Sequence, residues 1–246
     1  MRKPITFAGL LAALALALSP SAGAQPYSLT KSWTGSLTIP SDDANGVAPY
    51  VTINLPAFTS ISSVQVSLDI SGGYDGDYYA YLSGPNGGFS VLLNRMGVTS
   101  QNSIGSLASG LDVTFTDTGA NGDGDIHLGP SSGGAVTGIW QPDARTAIPI
   151  LGYANSVLDT SARTAFLSSF DGLNPNGNWT LFVADLAPGG VGTLDGWSVT
   201  VDGGPALVPD SPITSTALVT LALTCLWPVL RWRKGLKPQA APRRVL

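Results

Sequence analysis

Residues Phe170–Val201, FDGLNPNGNWTLFVADLAPGGVGTLDGWSVTV, contain two runs in which every second residue is large and apolar: Trp179, Leu181, Val183, then Trp197, Val199, Val201. Successive side chains of an extended chain point to opposite faces, so each run buries one face and reads as a strand. Pro175-Asn176-Gly177 precedes the first run and Pro188-Gly189-Gly190 separates the two. These residues accept turn backbone that others resist. The same two-residue period recurs at Val51-Ile53-Leu55, at Val64-Val66-Leu68-Ile70 and at Val113-Phe115. Turn formers lie between these runs at Asp75-Gly76, Pro85-Asn86-Gly87-Gly88 and Asn121-Gly122. Many short strands parted by turns predict an all-β domain, a jelly-roll β-sandwich.

Three segments depart from the pattern. Gly119 to Thr160 is rich in Gly, Asp, Ser and Pro, with apolar residues only at Ile139-Trp140 and Ile148–Leu151. It is expected to be a long excursion pinned by Trp140, a length that in a compact domain is usually functional or mobile. Ala162, Phe166 and Phe170 recur at spacing four and predict a short helix over 161–170. Residues 203–212 read as an extended, proline-containing linker.

Both chain ends carry address features. Arg2 and Lys3, the apolar stretch Ile5–Leu18 and the ending Ala22-Gly23-Ala24 form a secretory signal peptide over 1–24, with cleavage expected after Ala24. At the other end Val208, Pro209, Asp210 and Ser211 precede the uncharged run 213–230, which is followed by Arg231, Arg233, Lys234 and Lys237. As a helix that run spans about 27 Å, close to the thickness of a bilayer core. The bases behind it predict a transmembrane helix over 213–230, a cytoplasmic tail over 231–246 and an exported domain over 25–202.

Charge supports the division. All sixteen acidic residues are aspartate and lie between Asp42 and Asp210, whereas residues 25–212 contain only Lys31, Arg95, Arg145 and Arg163 as bases, a net charge of −12. Such a surface repels polyanions, so nucleic acid is excluded as a partner, and cations or neutral glycans suit it better. The single cysteine, Cys225, falls inside the apolar run, so no disulfide forms within the domain.

The chemistry on offer is narrow. A Ser-His-Asp mechanism needs an imidazole base, and the one histidine, His127, sits in the Gly-Asp-rich segment with no nucleophile motif beside it. It reads as an ordinary loop residue, and no catalytic residue is assigned. Asp117, Asn121, Asp123 and Asp125 place four oxygen-bearing side chains within nine residues, and Asp75 with Asp77 offers another pair. Either set has the hard-oxygen chemistry of Ca2+, or is simply a solvated acidic loop or a set of carboxylates that accept backbone N–H groups. Tyr74, Tyr78 and Tyr81 are candidates to stack on a polysaccharide, or to cover the sheet.

On these residues the chain resembles two families. Phe170–Val201, with Gly177, Trp179, Leu181, Asp185 and Trp197, is similar to the C-terminal signature of the proprotein convertase P domain (P/Homo B domain): Gly-x-Trp-x-Leu, an aspartate, a glycine-rich hairpin and a second tryptophan. Ile61–Leu93 resembles the first half of that domain, and Phe115-Thr116-Asp117 its central strand. The resemblance implies a jelly-roll sandwich in which Trp179 and Trp197 anchor neighbouring strands. It also implies association with subtilisin-like proteases, whose catalytic domain the sequence does not show. The tail resembles the PEP-CTERM sorting signals in their Val-Pro-Asp-Ser variant, with Pro212 where that variant usually has glycine. This implies an exosortase as partner, a Gram-negative host that makes extracellular polysaccharide, and a cell-surface location, anchored or released after processing. The expectation is a non-enzymatic envelope or matrix component that binds polysaccharide or a surface protein. The alternative is an accessory P domain of serine-type endopeptidase proteolysis.

Overall fold

The computed structural model describes residues 26–118, 124–153 and 157–205. The expected signal peptide, Asn121, Asp123, the motif Val208–Ser211, the apolar run and the basic tail lie outside the described residues. Among the described residues no helix is long and apolar enough to cross a membrane.

Twelve strands form in chain order: β1 (Tyr27–Ile39), β2 (Asp43–Val47), β3 (Tyr50–Ile53), β4 (Ser60–Gly72), β5 (Tyr78–Ser83), β6 (Phe89–Asn94), β7 (Leu107–Ala108), β8 (Leu111–Phe115), β9 (Ser132–Gly133), β10 (Val136–Trp140), β11 (Gly177–Asp185) and β12 (Gly192–Gly204). One sheet has the order β1-β12-β4-β8-β10, and a second has β2-β11-β5-β6 with β3 also paired to β11. β7 and β9 make a separate parallel ribbon. The only helical turns among the described residues are short 3₁₀ segments. The described residues therefore form an all-β sandwich.

Alternation places the core between the sheets. Val64, Val66, Leu68 and Ile70 of β4, Val113 and Phe115 of β8, and Trp197, Val199 and Val201 of β12 are buried on one side. Tyr78, Ala80 and Leu82 of β5 and Trp179, Leu181 and Val183 of β11 are buried on the other. Trp179 has no exposed surface; its indole Nε1 donates to Pro175 O at 2.9 Å, and its ring lies 4.9 Å from that of Phe170. Burial of an indole with its one donor satisfied makes it a strong anchor. Gly88 has no side chain because Phe170 occupies the space a Cβ would need.

Several expectations change. β11 and β12 do not form a hairpin: they belong to different sheets, so Pro188-Gly189-Gly190 carries the chain across the sandwich, and Trp179 and Trp197 face each other's sheet instead of lying on neighbouring strands. The helix expected over 161–170 shrinks to the 3₁₀ turn Leu167–Phe170. Ahead of it the backbone is extended, because Thr164 and Ala165 donate to Ala144 O and Ala165 O accepts from Val91. The excursion after Gly119 contains a true strand, β10, which joins the first sheet parallel to β8. Trp140 ends it half-buried against the core, as a pin. Ile148, Ile150 and Leu151, in contrast, are exposed. The linker expected from residue 203 begins later, since Gly203 and Gly204 still pair with Ile61 and Ser60 in the ladder of β12 with β4.

Candidate functional site

The outward face of the second sheet gathers aromatic rings. The register pairs Phe182 with Tyr81, Ala184 with Tyr79, Thr180 with Ser83 and Tyr50, and Ser83 with Phe89. Trp179 and Leu181 point inward, so Phe182 and Thr180 point outward with their partners. Tyr81 stacks on Phe182 with centroids 4.8 Å apart and planes 15° apart. Phe89 lies 5.1 Å from Tyr81, and Tyr79 lies 5.8 Å from Tyr81 and 6.2 Å from Phe182. Tyr50, 59% exposed, extends the cluster. Thr52, Asn178, Thr180 and Ser83 supply neutral hydrogen-bonding groups beside it, and no charged side chain interrupts these positions. Of the three tyrosines singled out from sequence, only Tyr81 is on this face. Tyr78 is wholly buried and its hydroxyl donates to Gly72 O at 2.9 Å, because it shares the inward phase of Ala80 and Leu82. Tyr74 is exposed in the loop before β5.

The interior holds two clusters of charge. In the first, His127 is fully buried, with Nδ1 2.8 Å from Asp143 Oδ2 and Nε2 2.9 Å from Val98 O. Val98 O can only accept, so Nε2 donates to it. Arg145 Nη1 donates to Asp143 Oδ1 at 3.1 Å and Nη2 to Asp125 Oδ2 at 2.7 Å, while Nε and Nη2 also reach Leu158 O and Asp159 O. Arg163 Nε approaches Asp125 Oδ2 at 3.5 Å. His127 is thus no ordinary loop residue, as its sequence setting suggested: it packs against β6, where Asp143 N and Ala144 N donate to Leu92 O and Val91 O. Both its ring nitrogens are engaged.

The second cluster is unbalanced. Asp75, Asp77 and Asp185 are buried, and Arg95, also buried, acts on Asp77 and Asp185. Asp75 accepts from Gly110 N at 3.1 Å and Asp185 from Ala187 N at 3.2 Å, while Asp75 Oδ2, Asp77 Oδ1 and Asp185 Oδ2 have no hydrogen-bond partner. Burial pushes the Asp75 carboxyl up to about 8, against the bond from Gly110. Burial, then the neighbouring charge of Asp185, raises Asp77 to about 7 against the pull of Arg95. Asp185 is raised to about 6, again by burial first.

The remaining sequence candidates are spread apart. Asp117 caps the turn Leu167–Phe170, its two oxygens accepting from Leu167 N at 2.9 Å and Ser168 N at 2.6 Å. Asp125 serves Arg145 and the N–H of His127. Each therefore has structural work of its own, and Asn121 and Asp123 lie outside the described residues. Among the described residues no three histidine, cysteine, aspartate or glutamate side chains converge as a metal cage. Gly177, Trp179, Leu181, Asp185 and Trp197 all fall on β11 and β12, and Trp179, Leu181, Val183 and Asp185 share the inward face as the spacing predicted. Sequence reasoning missed Tyr79, Phe89 and Phe182; the inward phase of Leu181, carried one residue further, points to Phe182, and that of Ala80, one residue back, to Tyr79, whereas β6 is buried from Ser90 to Asn94 and no alternation marks Phe89.

No protein-family model matches the chain, and no curated protein is similar to it. Among solved structures it is similar to the serine protease of Aeromonas sobria in complex with its chaperone, at 16% identity and a TM-score of 0.43, over 74% of this chain and 28% of that one. The same organism's serine protease solved alone gives 15% identity and a TM-score of 0.42, over 73% and 27%. The chain thus spans under a third of the length of the proteins it matches.

Proposed function

We propose that the chain is an exported, surface-held, non-catalytic domain of the P-domain jelly-roll kind that binds a neutral polysaccharide of the envelope or matrix. The observation that carries this reading is the uncharged aromatic face of Tyr50, Tyr79, Tyr81, Phe89 and Phe182 on a segment, residues 25–212, with a net charge of −12. Exposed aromatic patches mark contact surfaces, and rings flanked by hydroxyls and amides match the alternating apolar and hydroxyl faces of a sugar chain. A non-catalytic role is supported by His127, whose nitrogens are both occupied and which no solvent reaches. The terminal segments support export and retention at the membrane, with an exosortase acting on Val208–Ser211. Affinity electrophoresis in gels containing neutral polysaccharides tests the binding. Retardation of the wild type that is lost in Tyr81→Ala and Phe182→Ala supports it; migration unaffected by every neutral polymer rejects it.

A second reading, an accessory domain for a separately encoded serine endopeptidase, is favoured by the signature residues Trp179, Leu181 and Asp185, all built into the core. It is nearer to what the two Aeromonas sobria chains are. Stable co-purification with a subtilisin-like protease, undisturbed by substitutions on the aromatic face, separates it from the first.

A further inference from the structure

We propose that one calcium ion binds between the carboxylates of Asp77 and Asp185, at the end of the sandwich where β5 begins and β11 ends. The two residues are neighbours across the strands: Asp185 pairs with Tyr78 in the register, and Leu186 N donates to Asp77 O at 2.9 Å. Both side chains are fully buried, and each keeps one oxygen without a partner, Asp77 Oδ1 and Asp185 Oδ2. A buried carboxylate oxygen left unpaired is costly, so native proteins supply a donor, a proton or a metal.

The obvious donor is occupied. Arg95 Nε and Nη1 donate to Gly76 O and Gly152 O, each at 2.6 Å, and Nη2 points to Ser103 O at 3.5 Å. Its approach to Asp77 Oδ1 is 3.9 Å, too long for a hydrogen bond. The contrast with the other buried cluster is direct. There Asp143 and Asp125 each receive donors from Arg145, and His127 and Arg163 stand beside them. Here two buried carboxylates, Asp77 and Asp185, face one guanidinium whose donors go to main-chain carbonyls, so neither is matched by a donor as Asp125 and Asp143 are.

The chemistry selects the ion. Oxygen donors without sulfur or imidazole suit a hard cation, and calcium tolerates an irregular shell of six to eight oxygens, so two carboxylates can be completed by main-chain carbonyls and water. Gly189 packs against this end of the sandwich: a Cβ there would meet the Tyr74 ring at 3.2 Å and Asp77 Oδ2 at 3.7 Å. Asp75 is not a ligand, because the charges acting on Asp77 are those of Asp185 and Arg95, not that of Asp75. An affinity on the order of 10⁻⁴ to 10⁻³ M, as in other extracellular calcium modules, is expected.

The test is thermal melting of the full-length chain in mild detergent at pH 7.5, with EDTA or with 5 mM CaCl2. Calcium should raise the wild-type midpoint by about 5 °C. Asp77→Asn and Asp185→Asn should abolish that rise, and Asp75→Asn should retain it. A wild-type midpoint indifferent to calcium, or a rise that survives both substitutions, overturns the proposal. Should the two variants fail to fold, Tb3+ titration of the wild type decides. One equivalent, with emission sensitised by the adjacent tyrosines and displaced by calcium, supports the site. No emission, or emission that calcium leaves in place, rejects it.

Discussion

Replacing Asp143 probes how much of the fold depends on its buried ions. In the wild type Asp143 is inaccessible to solvent and accepts from Arg145 N at 3.2 Å and Arg145 Nη1 at 3.1 Å, with His127 Nδ1 at 2.8 Å. Asp143→Ala strips all three contacts and leaves a buried guanidinium short of one carboxylate. Breaking a buried pair from one side costs about 3–5 kcal/mol, because the stranded charge can regain neither water nor partner. Asp143→Asn keeps the shape. Its amide oxygen can still take the two Arg145 donors, and its NH₂ can donate to His127 Nδ1 while Nε2 continues to serve Val98 O. That variant loses only the charge assistance, about 1–2 kcal/mol. For a domain of this size each kcal/mol moves the midpoint by about 2–4 °C, so the alanine variant should melt at least 6 °C lower and the asparagine variant far less. Urea denaturation followed by tryptophan fluorescence gives both values, with Asp202→Asn, whose only partner is Ser63 at the surface, as a control within about 0.5 kcal/mol. Equal losses for alanine and asparagine, both below 1 kcal/mol, would refute the account of a network held by donor and acceptor matching.

Trp179→Ala should cost about 3–5 kcal/mol, read by the same denaturation, since it opens a cavity beside Phe170 and frees Pro175 O. In EDTA the protein should melt at a lower temperature at pH 8.5 than at pH 5.5. Asp75, raised to about 8, holds a proton in the folded state that an unfolded aspartate gives up near 4, so its contribution is complete below about 4 and is lost as pH rises through 8; a flat profile would contradict this. Gly73→Ala should destabilise by more than a surface change, because Gly73 has φ of 64° and a Cβ there would overlap the Tyr78 hydroxyl; a midpoint within 1 °C of wild type would show the hydroxyl yields freely. Tyr81→Ala should abolish polysaccharide retardation while the chain still unfolds cooperatively, a combination that gel mobility and a melting curve check together.

The strands were legible because period-2 burial is written directly in residues such as Val64, Val66, Leu68 and Ile70. What alternation cannot say is which sheet a strand joins. β11 and β12 look like the two arms of a hairpin, yet the turn between them crosses the sandwich. β10 escaped notice for a different reason: of Val136–Trp140 only Val136 is fully buried, so no apolar rhythm marks the strand. The ionic interior left only a partial trace. Aspartates such as Asp75, Asp77 and Asp125 stand out in the sequence, but their partners do not: Asp143 and Arg145 are neighbours in the chain, yet they meet Asp125 and His127 across 16 to 20 residues, and the apparent scarcity of bases conceals that Arg95 and Arg145 are internal. Tyr78 and Tyr79 differ by one step of phase, which is enough to send one into the core and the other outward.

β12 runs thirteen residues, flanked on one side by β1 and on the other by β4, with Tyr27 opposite Gly203. Both ends of the described domain therefore lie at one pole, while the loops around Asp77 and Val191 stand about 40 Å away at the other. A tether pulling from Pro205 against a partner gripped at the far pole would draw β12 along its own length. The ladder bonds on both flanks lie across that direction and would have to slide together, not open one after another. The same domain pulled between its two termini would peel, one rung at a time.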